Sequence, residues 1–311
     1  MTGFAALTAT GILSTSKAYA QITVPNSTGA ERSSLKAPPN ACDCHHHIYD
    51  AARFPPQNPQ SRMQFRASTA EYRLLQRRIG TTRDVIVTPA PYVTDNRVTL
   101  DAIRQLGPNA RGVAVVRPNV TDAELKAMAD GGIRGIRFTQ ADPTTAVTAF
   151  DMIEPLSKRV APLGWHVQIH MLSDQIAAAA ELWNRLPCAI VFDHMGRMHP
   201  RAGADDPGFA IIRRLIDKGR TWVKISGAYL NTEIGPPSYP DATALAQAYV
   251  KAAPERLVWG SDWPHPTEGS DKKPDDAVLF DLLAQWAPDE TTRHRILVEN
   301  PEALYGFPHA T

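Results

Sequence analysis

The segment Asp43-Cys44-His45-His46-His47 packs three imidazoles and a carboxylate into five residues. Side chains alternate across a strand, so Asp43, His45 and His47 are expected on one face and Cys44 and His46 on the other. Two imidazoles at i and i+2 near a strand end converge on one point. That geometry grips a metal ion or polarises a substrate oxygen. Taken alone, the tract reads equally well as a His-rich stretch that scavenges metal at the surface.

It does not stand alone. His170 ends the apolar run Val167-Gln168-Ile169, and Asp193-His194 ends Ile190-Val191-Phe192. Asp262 follows Val258-Trp259-Gly260-Ser261. Each histidine by itself has a structural reading as a hydrogen-bonded residue. Together at strand ends they read as a site. Neutral imidazoles bind Zn²⁺ or a similar ion through nitrogen, and a carboxylate completes the shell. A bound ion brings the pKa of its water to about 7 and polarises a carbonyl. The expected cofactor is one divalent ion, zinc or manganese, on His45, His47, His170 and Asp262. Without an ion, Asp262 serves as general base while the histidines, His194 among them, stabilise an oxyanion. Asp193 is a candidate for orienting a neighbouring imidazole or for a structural role. Arg137 and Arg197 are candidates for holding a substrate carboxylate, which suits the guanidinium fork, with surface ion pairs as the alternative. Tyr49, in phase with His47, is a candidate hydrogen-bond donor or a packed rim aromatic.

These residues need elements to position them. β-branched runs at 41–48, 84–88, 111–116, 133–139, 165–170, 189–194, 221–226 and 257–260 alternate with helical patterns. The helices are expected from Ser68 or Thr69 through Ile79, then at 98–106, 122–129, 146–163, 174–186, 209–218 and 243–252, with a closing pair at 275–286 and 289–298. Eight βα units predict a single-domain (β/α)₈ barrel over residues 41–311, whose catalytic groups come from the C-terminal ends of its strands. An open doubly wound sheet alternates in the same way. It should carry G-x-G-x-x-G after the first strand, where this chain has the His-rich segment.

Composition bounds the rest. The 311 residues are 43% hydrophobic and 21% charged with a formal net charge of +1, which gives no basic patch for nucleic acid and no membrane-surface signal. No later stretch is long and apolar enough to span a bilayer. A small molecule is the expected partner, with a homo-oligomer left open. Three cysteines, Cys42, Cys44 and Cys188, form no disulfide or zinc-knuckle spacing and read as structural. Residues 1–20 resemble a signal peptide, with Ala18-Tyr19-Ala20 as a cleavage pattern but no basic residue before Lys17. An exported, periplasmic protein with a start upstream of Met1 is the expectation, and a cytoplasmic protein with an Ala/Thr-rich tail is the alternative. Residues 21–40, rich in Ser, Thr and Pro, read as a linker.

The motifs Asp43-x-His45-x-His47, Gly164-Trp165-His166-Val167, Phe192-Asp193-His194-Met195-Gly196, Trp259-Gly260-Ser261-Asp262-Trp263-Pro264-His265 and Asn300-Pro301-Glu302-Ala303-Leu304-Tyr305 span nearly the whole chain. In this order they resemble the amidohydrolase superfamily, in the branch of 2-pyrone-4,6-dicarboxylate lactonases and galactarolactone isomerases. The resemblance implies a barrel that hydrolyses or rearranges lactones. His45 and His47 match its first-strand pair, His194 its sixth-strand histidine and Asp262 its proton-handling aspartate. The pyrone-dicarboxylate lactonases carry tyrosine where this chain has His170, and further arginines after the fourth and seventh strands. Stretches 138–142 and 226–232 contain no arginine, which argues against that dicarboxylate as substrate. The isomerases lack the first-strand histidines and the eighth-strand aspartate. No lysine ends the fourth strand, so a carbamate-bridged two-metal centre is not expected.

The reading is a hydrolase that opens a small carboxylate-bearing lactone, with Asp262 and His194 as catalytic groups. A metal-dependent decarboxylase or a lactone isomerase of the same superfamily is the alternative, and a non-catalytic binding protein a further one. No G-x-S-x-G elbow or P-loop occurs.

Overall fold

The computed structural model describes residues 21–58, 66–142 and 146–309. The signal-peptide reading of 1–20 lies outside the described residues. Eight strands run in chain order: β1 Cys42–His46, β2 Arg83–Val87, β3 Ala110–Ala114, β4 Ile133–Thr139, β5 His166–His170, β6 Ile190–Phe192, β7 Thr221–Ser226 and β8 Leu257–Gly260. All neighbours pair in parallel, in the order β1 to β8. Just beyond β8 the sheet meets itself. Asp262 N donates to His45 O at 2.8 Å and His47 N donates to Trp263 O at 2.8 Å. The result is the (β/α)₈ barrel expected from the sequence, and its seam lies at the site residues.

Two layers hold it together. Outside the sheet, apolar helix faces pack on the outward strand residues. The helix Thr69–Ile79 buries Tyr72, Leu75 and Ile79 and begins with a capping box between Ser68 and Glu71. Burying an aliphatic side chain such as Leu75 or Ile79 stabilises by about 1.5–3 kcal/mol. Inside, Cys42, Cys44, Val85, Val113, Val191 and Val258 fill the lumen, and Tyr305 and Phe307 of the C-terminal segment pack with them. The three cysteines are free and buried.

Two expected helices are broken for physical reasons. The helix expected from residue 146 begins only at Phe150, as a short 3₁₀ turn leading into Ile153–Val160. A longer helix would place Pro155 in its interior, where it lacks the donor. The observed start keeps it in the first turn. The pattern at 174–186 divides into Ser173–Ala178 and Ala180–Arg185. There Trp183 Nε1 donates to Ile176 O at 2.9 Å, occupying a carbonyl that a continuous helix would bond internally.

The stretch read as a linker is held against the barrel. Trp263 Nε1 donates to Pro25 O at 2.8 Å. The buried Arg78 guanidinium reaches Glu31 O, Ser27 Oγ, Thr28 O and Asp275. Among the described residues, no helix is long and apolar enough to cross a membrane.

Candidate active site

The first strand departs from strict alternation. Asp43 pairs with Asp84 and His46 with Ile86, so β1 carries one extra residue, a bulge. The shared face expected for Asp43, His45 and His47 is thereby corrected. Asp43 turns outward and accepts from Tyr72 Oη at 3.0 Å, Ser261 N at 2.9 Å, Ser261 Oγ at 2.6 Å and His45 N at 3.2 Å. His46 also faces outward, stacked on Tyr72 at 3.5 Å and 3.0 Å from Asp84. His45 and His47 are left in the barrel mouth.

There the two imidazoles meet Asp262. Their Nε2 atoms lie 3.3 Å apart, and each lies 3.4 Å from Asp262 Oδ1. Asp262 has a φ of 62°, the left-handed region that a non-glycine residue occupies at a cost of about 1–3 kcal/mol. The seam bond to His45 O and the bond from His265 N to Asp262 O, 2.7 Å, hold it there.

The tautomer of His47 follows from its partner. His47 Nδ1 is 2.7 Å from Val87 O, which only accepts, so the proton sits on Nδ1 and Nε2 is bare. His45 Nδ1 lies 3.3 Å from Asp193 Oδ1, an oxygen that makes no hydrogen bond among the described residues. Lys224 Nζ also lies 3.4 Å from that nitrogen, but its shorter bonds go to Cys44 O at 2.8 Å and Gln168 Oε1 at 2.7 Å. Asp193 therefore serves His45 rather than its neighbour His194. Its other oxygen accepts from Arg137 Nε at 2.9 Å and Gln168 Nε2 at 3.0 Å.

Burial and charge act in opposite directions on the site's ionisable groups. Burial pushes His45 well below its usual range and His194 down to about 4. Burial works to raise Asp262, but His194, His47 and His45 outweigh it and hold it well below the usual carboxylate range. Asp193 is held low in the same way, with His45 and Arg137 overcoming its burial. Lys224 is pushed down to about 8 by burial.

His194 and Arg197 sit on a short left-handed turn. His194, Met195, Gly196 and Arg197 have φ values of 49°, 56°, 72° and 50°. Such a turn crowds each Cβ against the following carbonyl, costing about 1–2 kcal/mol per non-glycine residue. Asn231 Nδ2 to His194 O and Tyr249 Oη to Met195 O, 3.1 and 3.2 Å, pin it. His194 Nδ1 is 3.0 Å from Ser226 Oγ, and its Nε2 lies 3.9 Å from Asp262 Oδ1.

His170 stands one imidazole further out. Its ring is 5.2 Å from that of His194, and its Nε2 accepts from Arg197 Nη1 at 3.3 Å. Among the described residues, the sets of three ligand atoms within 4.8 Å are His45, His47, Asp262 and His45, Asp193, His194. His170 is in neither, and in the second set Arg137 engages Asp193 Oδ2 while Oδ1 faces His45. Arg137 is buried with its Nε anchored on Asp193, and its Nη groups make no hydrogen bond among the described residues. Tyr49 is buried beside this cluster, its ring 6.4 Å from that of His47, and burial followed by the Asp262 charge pushes its hydroxyl up.

Two further residues reach the site from β7 and the turn after it. Lys224 points into the lumen by simple alternation with Trp222 and Ser226, a signal present in the sequence. Tyr229, three residues past the end of β7, donates to Asp262 Oδ2 at 2.6 Å. Its place beyond a strand C-terminus was the available signal.

The donor set fits a single ion. Ligands 2.0–2.1 Å from a tetrahedral Zn²⁺ lie about 3.3–3.4 Å from one another. The three separations around His45, His47 and Asp262 have that value, and all three atoms offer lone pairs.

A family model described as amidohydrolase matches residues 42–307. The chain is 33% identical over 280 residues to a 2-pyrone-4,6-dicarbaxylate hydrolase of Comamonas testosteroni, covering 87% of this chain and 92% of that one. It is 34% identical over 273 residues to a 4-sulfomuconolactone hydrolase of Hydrogenophaga intermedia, covering 86% and 89%. An apo crystal structure from Agrobacterium tumefaciens superposes with a TM-score of 0.83 at 27% identity, over 92% of this chain and 99% of that one. With the barrel, the seam and the His45–His47–Asp262 cluster, these matches establish that the chain belongs to the amidohydrolase family.

Proposed function

We propose that this chain hydrolyses a small lactone that carries a carboxylate. The observation that carries the reading is the convergence of two imidazole nitrogens on Asp262 Oδ1, each 3.4 Å away. The lactone hydrolases among its relatives support it. His45, His47 and Asp262 would hold one zinc or manganese ion. When bound, such an ion supplies a water of pKa about 7 and polarises the ester carbonyl.

The chain's own residues do the rest. Asp262, ionised, takes the proton of the attacking water as the water oxygen bonds to the carbonyl carbon. His194 faces the same point, its Nδ1 3.0 Å from Ser226 Oγ; in the tautomer that accepts from that hydroxyl it presents Nε2–H to the developing oxyanion. Collapse breaks the ring C–O bond, and the proton on Asp262 passes to the leaving alkoxide. The Nη groups of Arg137, with Arg197, grip the carboxylate.

Turnover of a panel of carboxylate-bearing lactones, with and without a chelator, tests the reading. Ring opening by water is expected for at least one member, and Asp262→Asn is expected to abolish it. Release of CO₂ from an aromatic acid, with no lactone opened, would replace the reading with a decarboxylase.

A further inference from the structure

We infer that Tyr229, braced by His265 and Asp276, is a positioning residue that fixes which oxygen of Asp262 faces the imidazoles. The inference rests on the reading of Asp262 given above. A carboxylate has two equivalent oxygens, and the torsion that exchanges them is soft. In this site the two are not equivalent. Oδ1 lies between the Nε2 atoms of His45 and His47, while Oδ2 accepts the Tyr229 hydroxyl at 2.6 Å. An ionised carboxylate only accepts, so the proton of that short bond comes from Tyr229. A charge-assisted bond of this length is among the stronger neutral-to-ion contacts and holds the plane of the carboxylate as well as its distance.

Tyr229 is itself held. It sits in the one-turn segment Ala228–Leu230, launched by Gly227 at a φ of 62°. A Cβ on Gly227 would come within 3.0 Å of His194 Nδ1, so the turn is built close against the site. On its far side His265 stands edge-on, with ring centroids 5.2 Å apart and Nδ1 3.3 Å from the Tyr229 hydroxyl. His265 Nε2 lies 3.2 Å from Asp276 Oδ2, and Asp276 N is bonded to Ser27 Oγ. The line Asp276–His265–Tyr229–Asp262 thus reaches the reacting centre from the start of the helix Asp276–Asp281. It leaves Oδ1 as the oxygen available to an ion or a water.

The test compares wild type, Tyr229→Phe, His265→Gln and Asp262→Asn, all as full chains. Tyr229 is half-buried and phenylalanine keeps its ring, so Tyr229→Phe is expected to unfold within a few degrees of wild type. Its kcat is expected to fall about 10–100-fold, the usual effect of losing a group that orients a ligand, with KM within about threefold. Zn²⁺ affinity, titrated with the metal alone against a chromophoric chelator, is expected to weaken about tenfold or more. His265→Gln is expected to move both quantities in the same direction by less. A merely structural role would lower thermal stability and raise KM instead. Wild-type kcat and wild-type Zn²⁺ affinity in Tyr229→Phe overturn the assignment. Wild-type kcat in Asp262→Asn sinks the lactonase reading instead, and the Zn²⁺ titration of Tyr229→Phe then decides the assignment by itself.

Discussion

Asp193 accepts from Arg137 Nε at 2.9 Å with one oxygen and faces His45 Nδ1 at 3.3 Å with the other. A single buried carboxylate therefore anchors the candidate substrate-holding arginine and lies against one imidazole of the central cluster. Replacing it with asparagine keeps the shape but removes the charge that both partners need. Asp193→Asn is expected to lower kcat/KM about 10–100-fold through both kcat and KM, read by steady-state kinetics on the best lactone. A change confined to KM would mean that His45 does not depend on it.

Arg137 offers its Nη groups to the mouth, and the fork grips a carboxylate in a way that lysine cannot. Arg137→Lys is expected to raise KM for a carboxylate-bearing lactone about tenfold or more while leaving a neutral lactone of the same ring within about twofold. Equal losses on both substrates would assign Arg137 to holding Asp193 alone.

Buried histidines make the fold sensitive to acid. Burial pushes His46 and His166 down to about 3 and His194 to about 4. Each has a folded pKa below its unfolded value near 6.5, so the unfolded chain takes up protons first as the pH drops. Their stabilisation is complete above about pH 6.5 and is lost as pH falls from there toward about 3. Thermal melting between pH 8 and 4 is expected to show a level Tm above 6.5 and a steady decline below it. A flat Tm down to pH 4.5 would contradict the neutral burial of these rings.

Arg78 ties residues 27–31 to Asp275 from a fully buried position. Arg78→Ala leaves those acceptors unpaired, which is expected to cost about 3 kcal/mol and to lower Tm by several degrees. It should also open the 21–40 stretch to limited proteolysis. Unchanged stability and protease resistance would show that the strap is held by its other contacts.

Much of this architecture was legible in the residues. Eight β-branched runs alternating with capped helices specify a parallel barrel, and His45, His47, His194 and Asp262 stood at strand ends where a barrel puts its chemistry. Asp43 leaves the expected face because a bulge is one extra residue in a register, which a period-two pattern does not reveal. Asp193 adjoins His194 in sequence yet faces His45, because the left-handed turn at 194–197 sends His194 elsewhere. His170 looked like a ligand by position, yet its Nε2 is engaged by Arg197, a contact between two strand ends. Tyr229 carried no motif, and its role depends on a distance across the barrel seam. Residues 21–40 have the composition of a linker, and their docking depends on single polar contacts such as Trp263 to Pro25.

The central claim is that Asp262, poised between His45 and His47, moves the proton of the attacking water. The kcat of Asp262→Asn on a carboxylate-bearing lactone, measured on protein with unchanged circular dichroism, tests it most directly. The account predicts a fall of about a thousandfold or more, comparable to the loss of a general base together with a ligand. A variant within about tenfold of wild type would contradict it.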